Sequence, residues 1–77
     1  MDCIVKLIWN DEEKFWYSES TDERFGLTLE SGSLDVLIER IKMAVPDMYE
    51  LIGYTGEINL SFAIERTDKL MLEEVVA

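Results

Sequence analysis

The sequence contains no histidine, one cysteine, one proline and only seven lysines and arginines in 77 residues. Without histidine, the chain lacks the commonest general base and metal ligand, and every histidine-dependent catalytic triad is excluded. The lone Cys3 excludes an intrachain disulfide and a paired-cysteine metal site, which fits a reducing compartment. We therefore expect a non-enzymatic protein with no cofactor and no bound metal.

Basic residues are outnumbered by 17 aspartates and glutamates, so the formal net charge is −10. A polyphosphate would meet repulsion in place of counterion release, which argues against direct nucleic-acid binding. A protein partner with a basic face is favoured, because opposite potentials speed encounter. The sequence has no signal-like segment and no apolar run near the roughly 20 residues that a membrane span needs. We expect a cytoplasmic protein that does not bind membranes.

Four strand patterns and one helix pattern follow one another along the chain. The strands are rich in β-branched residues or alternate in polarity, whereas the apolar residues of the helix recur every three or four positions. We expect Ser33 to be the helix N-cap, and Pro46 to introduce a kink or a second helical start. The predicted order is a strand over 2–9, a strand over 15–20, a short strand over 27–31, a helix over 34–52 and a strand over 58–65.

These patterns predict an α+β fold of order β-β-β-α-β, with an antiparallel-dominated sheet packed on one helix. At this length we expect a single domain over residues 1–77. Its tail, residues 67–77, fits a short helix or a strand extension. Strict alternation in the last strand indicates that one face of the sheet packs on the helix, while the other faces water or a partner.

The first two strands supply candidate interface residues. We expect a polar turn over 10–14 that places Trp9 opposite Phe15, so that Ile8 and Trp16 lie on the second face of the sheet with Ile4. Exposed apolar side chains of this kind often mark interfaces. Either a partner or the C-terminal tail would bury Ile4, Ile8 and Trp16.

Other candidate chemistry is sparse. The acidic clusters at 11–13 and 22–23 lack the spacing of a calcium loop and are typical of solvated turns. A metal site would need three convergent carboxylates, and the strand residues available for it are Glu19, Glu30 and Glu65. The sequence therefore predicts no catalytic, cofactor-binding or metal-binding residue.

Four segments of the chain carry a resemblance to a known family: Val5-Lys6-Leu7, Trp16-Tyr17-Ser18-Glu19-Ser20, Gly26-Leu27, and Ser33-Leu34-Asp35, which opens an Ile/Leu-rich helix. In this order they resemble the HicB-type antitoxin domain over about residues 2–66. It looks closest to stand-alone members of that group, which are domains of unknown function. The family commonly has a proline where this chain has Phe25. Full HicB antitoxins add a C-terminal operator-binding module, for which we expect no room here.

The resemblance implies a HicB-like, degraded RNase H-like sheet on one helix and a tendency to form homodimers. In antitoxin members it also implies the blocking of a small, basic, mRNA-cleaving HicA toxin. The leading hypothesis is therefore a protein-binding domain that neutralises a basic HicA-like RNase. The alternatives are a homo-oligomeric domain with no toxin partner and a carboxylate-dependent metalloenzyme.

Overall fold

The computed structural model describes residues 1–20 and 26–73. The predicted α+β fold is confirmed, with a mixed sheet of order β3-β2-β1-β4 packed against one helix. β1 runs antiparallel to β2 and parallel to β4, and β2 runs antiparallel to β3. The elements are β1 (Asp2–Asn10), β2 (Phe15–Ser20), β3 (Glu30–Ser31), α1 (Leu34–Leu51) and β4 (Asn59–Glu65).

Several sequence features lie outside the described residues. They are the polar loop over 21–24 with its acidic pair, Phe25, and the last four residues of the tail, 74–77. No helix within the described ranges has the length and apolar character needed to cross a membrane.

The β1–β2 hairpin closes through the side chain of Asn10. Its Oδ1 accepts hydrogen bonds from the backbone amides of Glu12 and Glu13, both at 3.1 Å. The amide of Lys14 donates to the Asn10 carbonyl at 2.8 Å, and Lys14 adopts a left-handed backbone conformation with φ of 60°. Asn10 therefore pairs with Phe15, and the loop has four residues.

This loop length makes the predicted register wrong by one residue. Trp9 lies opposite Trp16, and Ile8 lies opposite Tyr17. Because side chains alternate between the two faces of a strand, the shift moves every β2 side chain to the face opposite the expected one.

The core lies between the sheet and α1. Trp16 belongs to it, since it is only 5% exposed and its ring centroid lies 5.2 Å from that of Trp9. Residues three and four apart on α1 meet the β1 side chains that point toward the helix. The other buried apolar residues are Cys3, Val5, Leu7, Leu27, Leu37, Ile41, Val45 and Tyr49.

Helix α1 begins and ends as its sequence indicates. The Oγ of Ser33 accepts a hydrogen bond from the amide of Val36 at 3.4 Å, which confirms the predicted N-cap. The helix continues through Pro46 as one element, so of the two predicted effects of this proline the second helical start is wrong, whereas the kink stays a prediction. Gly53, with φ of 80°, follows the helix and donates its amide to the Glu50 carbonyl at 3.0 Å. A glycine in this conformation commonly terminates a helix.

The third strand is shorter than predicted because a side chain replaces part of its ladder. Ser18 on β2 is 1% exposed. Its amide donates to the Leu29 carbonyl at 2.8 Å, and its Oγ accepts from the Leu29 amide at 2.9 Å. The same hydroxyl lies 3.2 Å from the Leu27 carbonyl, to which it donates. Residues 27–29 are therefore fixed to β2 without forming a regular strand.

Candidate interaction surface

The sheet face away from α1 carries several apolar side chains. We call it the open face. Ile4 lies there with 50% of its surface exposed. Nearer the hairpin loop, beyond Lys6, the register places half-buried Ile8 opposite Tyr17, with Phe15 next along β2. The rings of Phe15 and Tyr17 lie 6.0 Å apart, so together they present a continuous aromatic surface next to Ile8.

Carboxylates lie on the same face, between and beside the apolar side chains. Asp2, Glu19, Glu30 and Glu65 share the open face by strand alternation. Lys6 is the only basic residue in the four described strands, and its Nζ lies 3.9 Å from the Glu65 Oε1. The open face therefore carries an apolar patch of Ile8, Phe15 and Tyr17 near the hairpin loop, and Lys6 with Glu19 and Glu65 separates this patch from Ile4.

The structure separates the three predicted interface residues. Ile4 and Ile8 lie on the open face as expected. Trp16 lies on the opposite face, because the four-residue hairpin loop reverses the orientation of β2. Phe15 and Tyr17 take its place, and sequence reasoning missed them. The signal was Asn10, whose side chain favours a tight turn that begins at residue 10.

The three strand carboxylates named for a metal site do not converge. Glu19, Glu30 and Glu65 share the open face, yet Glu19 lies opposite Lys6 in the register and Glu65 forms the long ion pair with that lysine. No group of three or more potential metal ligands lies close enough to hold an ion within residues 1–20 and 26–73.

The residues after β4 pack against the end of the hairpin. The Arg66 guanidinium lies 4.4 Å from the Trp9 ring centroid and 5.6 Å from that of Trp16. It also donates two hydrogen bonds to the Asp68 carboxylate, at 2.9 and 3.1 Å, and this carboxylate raises the pKa of Arg66. A cation over an aromatic face is attracted by the negative potential of the ring, so Arg66 joins the end of β4 to the hairpin.

A second anchor forms at Asp11 in the hairpin loop. Its carboxylate accepts hydrogen bonds from Lys14 Nζ at 2.8 Å, Trp9 Nε1 at 3.0 Å and the Lys69 amide at 3.3 Å. Because these donors stabilise the ionised form, with Lys14 contributing most, the pKa of Asp11 falls from 3.8 to about 2. The chain is thus held at residues 66–69.

Beyond this anchor the tail is extended. Residues 67–73 form neither of the predicted alternatives, a helix or a strand extension. Leu70, Met71 and Leu72 are 88%, 83% and 100% exposed, so they do not cover the candidate interface residues. We call Leu70–Leu72 the arm.

The fold and its surfaces define a small α+β domain with one helix, an open acidic sheet face and an exposed apolar arm. A family model described as a domain of unknown function (DUF1902) matches residues 2–72, and the chain belongs to this family.

The fold is similar to that of the hypothetical protein TTHA1013 from the extremely thermophilic bacterium Thermus thermophilus. The TM-score is 0.72, with 24% sequence identity, and the match covers 91% of this chain and 100% of that chain. At this identity the likeness shows the fold alone. No curated protein matches the chain. The HicB-type assignment stays a prediction.

Proposed function

We propose that this domain is a non-enzymatic protein-binding module whose open face binds a basic protein. The observation that supports the proposal is that apolar Ile4, Ile8, Phe15 and Tyr17 share the open face with the carboxylates of Asp2, Glu19, Glu30 and Glu65. Protein interfaces commonly combine an apolar, aromatic centre with a polar rim. A partner with the matching charge distribution would have exposed apolar side chains with lysines and arginines beside them.

The resemblance to HicB antitoxins names one such partner, a small HicA-like RNase. An enzyme that cleaves mRNA needs a basic surface to hold the phosphate backbone. Carboxylates placed over that surface would pair with the lysines and arginines that hold the phosphates, and RNA would be excluded. The net charge of −10 on this chain would also speed the encounter at low salt.

The direct test is titration calorimetry of the purified chain with a HicA-type RNase, in parallel with an mRNA cleavage assay. We expect binding that weakens as salt rises and that inhibits cleavage in proportion to occupancy. Two single variants, Glu19→Gln and Ile4→Ser, should each raise the Kd about tenfold or more. The first removes a negative charge from the open face, and the second removes an apolar contact.

The matched control is Glu50→Gln, which removes one charge from an exposed position on α1, outside the sheet. It should leave the affinity within about twofold. Equal losses for the control and the open-face variants would place the interface elsewhere. No binding to a basic RNase under low salt would contradict the toxin-neutralising function.

The homo-oligomeric alternative is favoured by a different observation. The arm exposes three consecutive large apolar side chains, and such patches often mark interfaces. Light scattering on the isolated protein would separate a homodimer from a monomer, since the chain mass is 9.0 kDa.

A further inference from the structure

An apolar groove lies between α1 and β4. It encloses about 180 Å³ and is lined by Lys42, Val45, Pro46, Ile58 and Leu60. The groove exists because α1 lies over β2 and β3, which leaves the β4 side of the core less covered. Further along β4, on the same face, Phe62 is half-buried and Ile64 is 55% exposed.

The groove adjoins a free strand edge. β4 is the last strand of the sheet, and within the described residues only β1 pairs with it. Its outer edge therefore presents backbone donors and acceptors beside an apolar surface. An extended segment that adds to such an edge gains backbone hydrogen bonds, and its alternate side chains gain pockets.

The arm has the matching chemistry, but its side chains are almost fully exposed and do not fill the groove of their own chain. The described chain measures 67 Å along its longest axis and 18 Å along each of the other two. A nine-residue strand such as β1 spans only about 30 Å. Much of the remaining length comes from the extended residues after β4.

The anchors explain why the arm does not fold back. The Lys69 amide is hydrogen-bonded to Asp11, beyond the carboxyl end of β4. The first arm residue, Leu70, follows directly after this contact. Leu60 in the groove lies five residues before Glu65, which is about 16 Å along the strand. The three arm residues span only about 10 Å.

We propose that the arm binds the groove of a second copy of this chain and adds as a strand to the outer edge of its β4. In an extended segment Leu70 and Leu72 point to one side, into the groove, and Met71 points to the other. Reciprocal exchange of two arms gives a closed twofold dimer.

This inference rests on the proposed self-association, and it does not depend on a basic partner. The two kinds of complex differ in their response to salt. Each copy carries a charge of −10, so salt screens the repulsion between two copies and strengthens the dimer. A complex with a basic protein weakens under the same change.

The first experiment is sedimentation equilibrium of the full chain and of the triple variant L70S/M71S/L72S, which keeps the charge unchanged. The wild type should be dimeric, and the triple variant should raise the dimer Kd by more than about a hundredfold with an unchanged circular dichroism spectrum. The control V36S/M43S removes exposed apolar side chains from α1, away from the groove, and should remain dimeric.

The second experiment locates the arm. One sample carries L72C, another carries K42C, and the two are mixed under mild oxidation. Cys3 is buried, and the wild-type protein under the same oxidation measures any cross-linking through this cysteine. We expect a disulfide-linked pair that contains one chain of each variant. A chain that carries both substitutions and closes an internal disulfide as a monomer would overturn the exchange.

The outcomes separate the arm from self-association in general. A dimer that persists in the triple serine variant would overturn the arm proposal and leave self-association standing. A wild-type protein that is monomeric at every concentration and salt would overturn both. Binding of a basic RNase in either case would leave the function of the open face unaffected.

Discussion

The carboxylate of Asp11 accepts a hydrogen bond from the backbone amide of Lys69 at 3.3 Å, which joins the hairpin loop to the root of the arm across 58 residues of sequence. Arg66 supports the same junction from the other side by stacking on Trp9. The direction in which the chain leaves β4 is therefore set by two contacts with the first hairpin. The arm depends on these contacts for its position.

The junction should respond to acid. The pKa of Asp11 is about 2 in the folded protein, against 3.8 for an unperturbed carboxyl. A lowered folded-state pKa means that the contribution to stability is complete above about pH 4 and is lost as the pH falls toward 2. We expect the amide chemical shift of Lys69 to titrate with a midpoint near pH 2, and its hydrogen exchange at neutral pH to be slower than that of Leu70.

Asp11→Asn should abolish that titration and speed exchange of the Lys69 amide several-fold, because the ionised acceptor is gone. Glu12→Gln is the matched control, since it removes one charge from the same loop and Glu12 is exposed. A Lys69 titration that survives in the Asp11 variant would assign the transition to another carboxyl.

Replacing Trp16 tests the corrected register. A buried tryptophan truncated to alanine costs about 3–5 kcal/mol, which is comparable to the whole stability of a domain of this size. We expect Trp16→Ala to be severely destabilised and Trp16→Glu to be unfolded, as measured by urea denaturation followed by far-ultraviolet circular dichroism.

Ile4→Thr is the control on the other face. It keeps a β-branched side chain at a position that is 50% exposed, so the free energy of unfolding should change by less than about 1 kcal/mol. A folded, stable Trp16→Glu protein would restore the original expectation that this residue faces outward.

Local patterns predicted the elements, and contacts distant in sequence decided how those elements meet. The β2 bounds, the Ser33 cap and the alternation of β4 each depend on neighbouring residues and were read correctly. The hairpin register depended on whether Asn10 lies in the strand or in the turn. A shift of one residue there moved Trp16 from the surface to the core and placed Tyr17 on the open face.

The tail also depends on contacts that are distant in sequence. Its apolar residues fitted a helix or a strand by pattern, because nothing near them in sequence indicates that Arg66 meets Trp9 or that Lys69 meets Asp11. The candidate surface was therefore recovered in part. Ile4 and Ile8 were identified from strand alternation, whereas the aromatic pair beside them and the arm required the three-dimensional structure.

The Ser18 hydroxyl provides a last test, because it replaces a strand ladder. Ser18→Ala would leave the partly buried Leu29 amide without its 2.9 Å acceptor. An unsatisfied buried donor costs about 1–3 kcal/mol, and we expect a loss of that size in the free energy of unfolding. Ser61→Ala, on the exposed side of β4, should cost less than about 0.5 kcal/mol. The amide of Leu29 should also exchange faster in the Ser18 variant while amides of β1 keep their protection. Equal stability of the two alanine variants would mean that residues 27–29 are held by the burial of Leu27 and not by the serine.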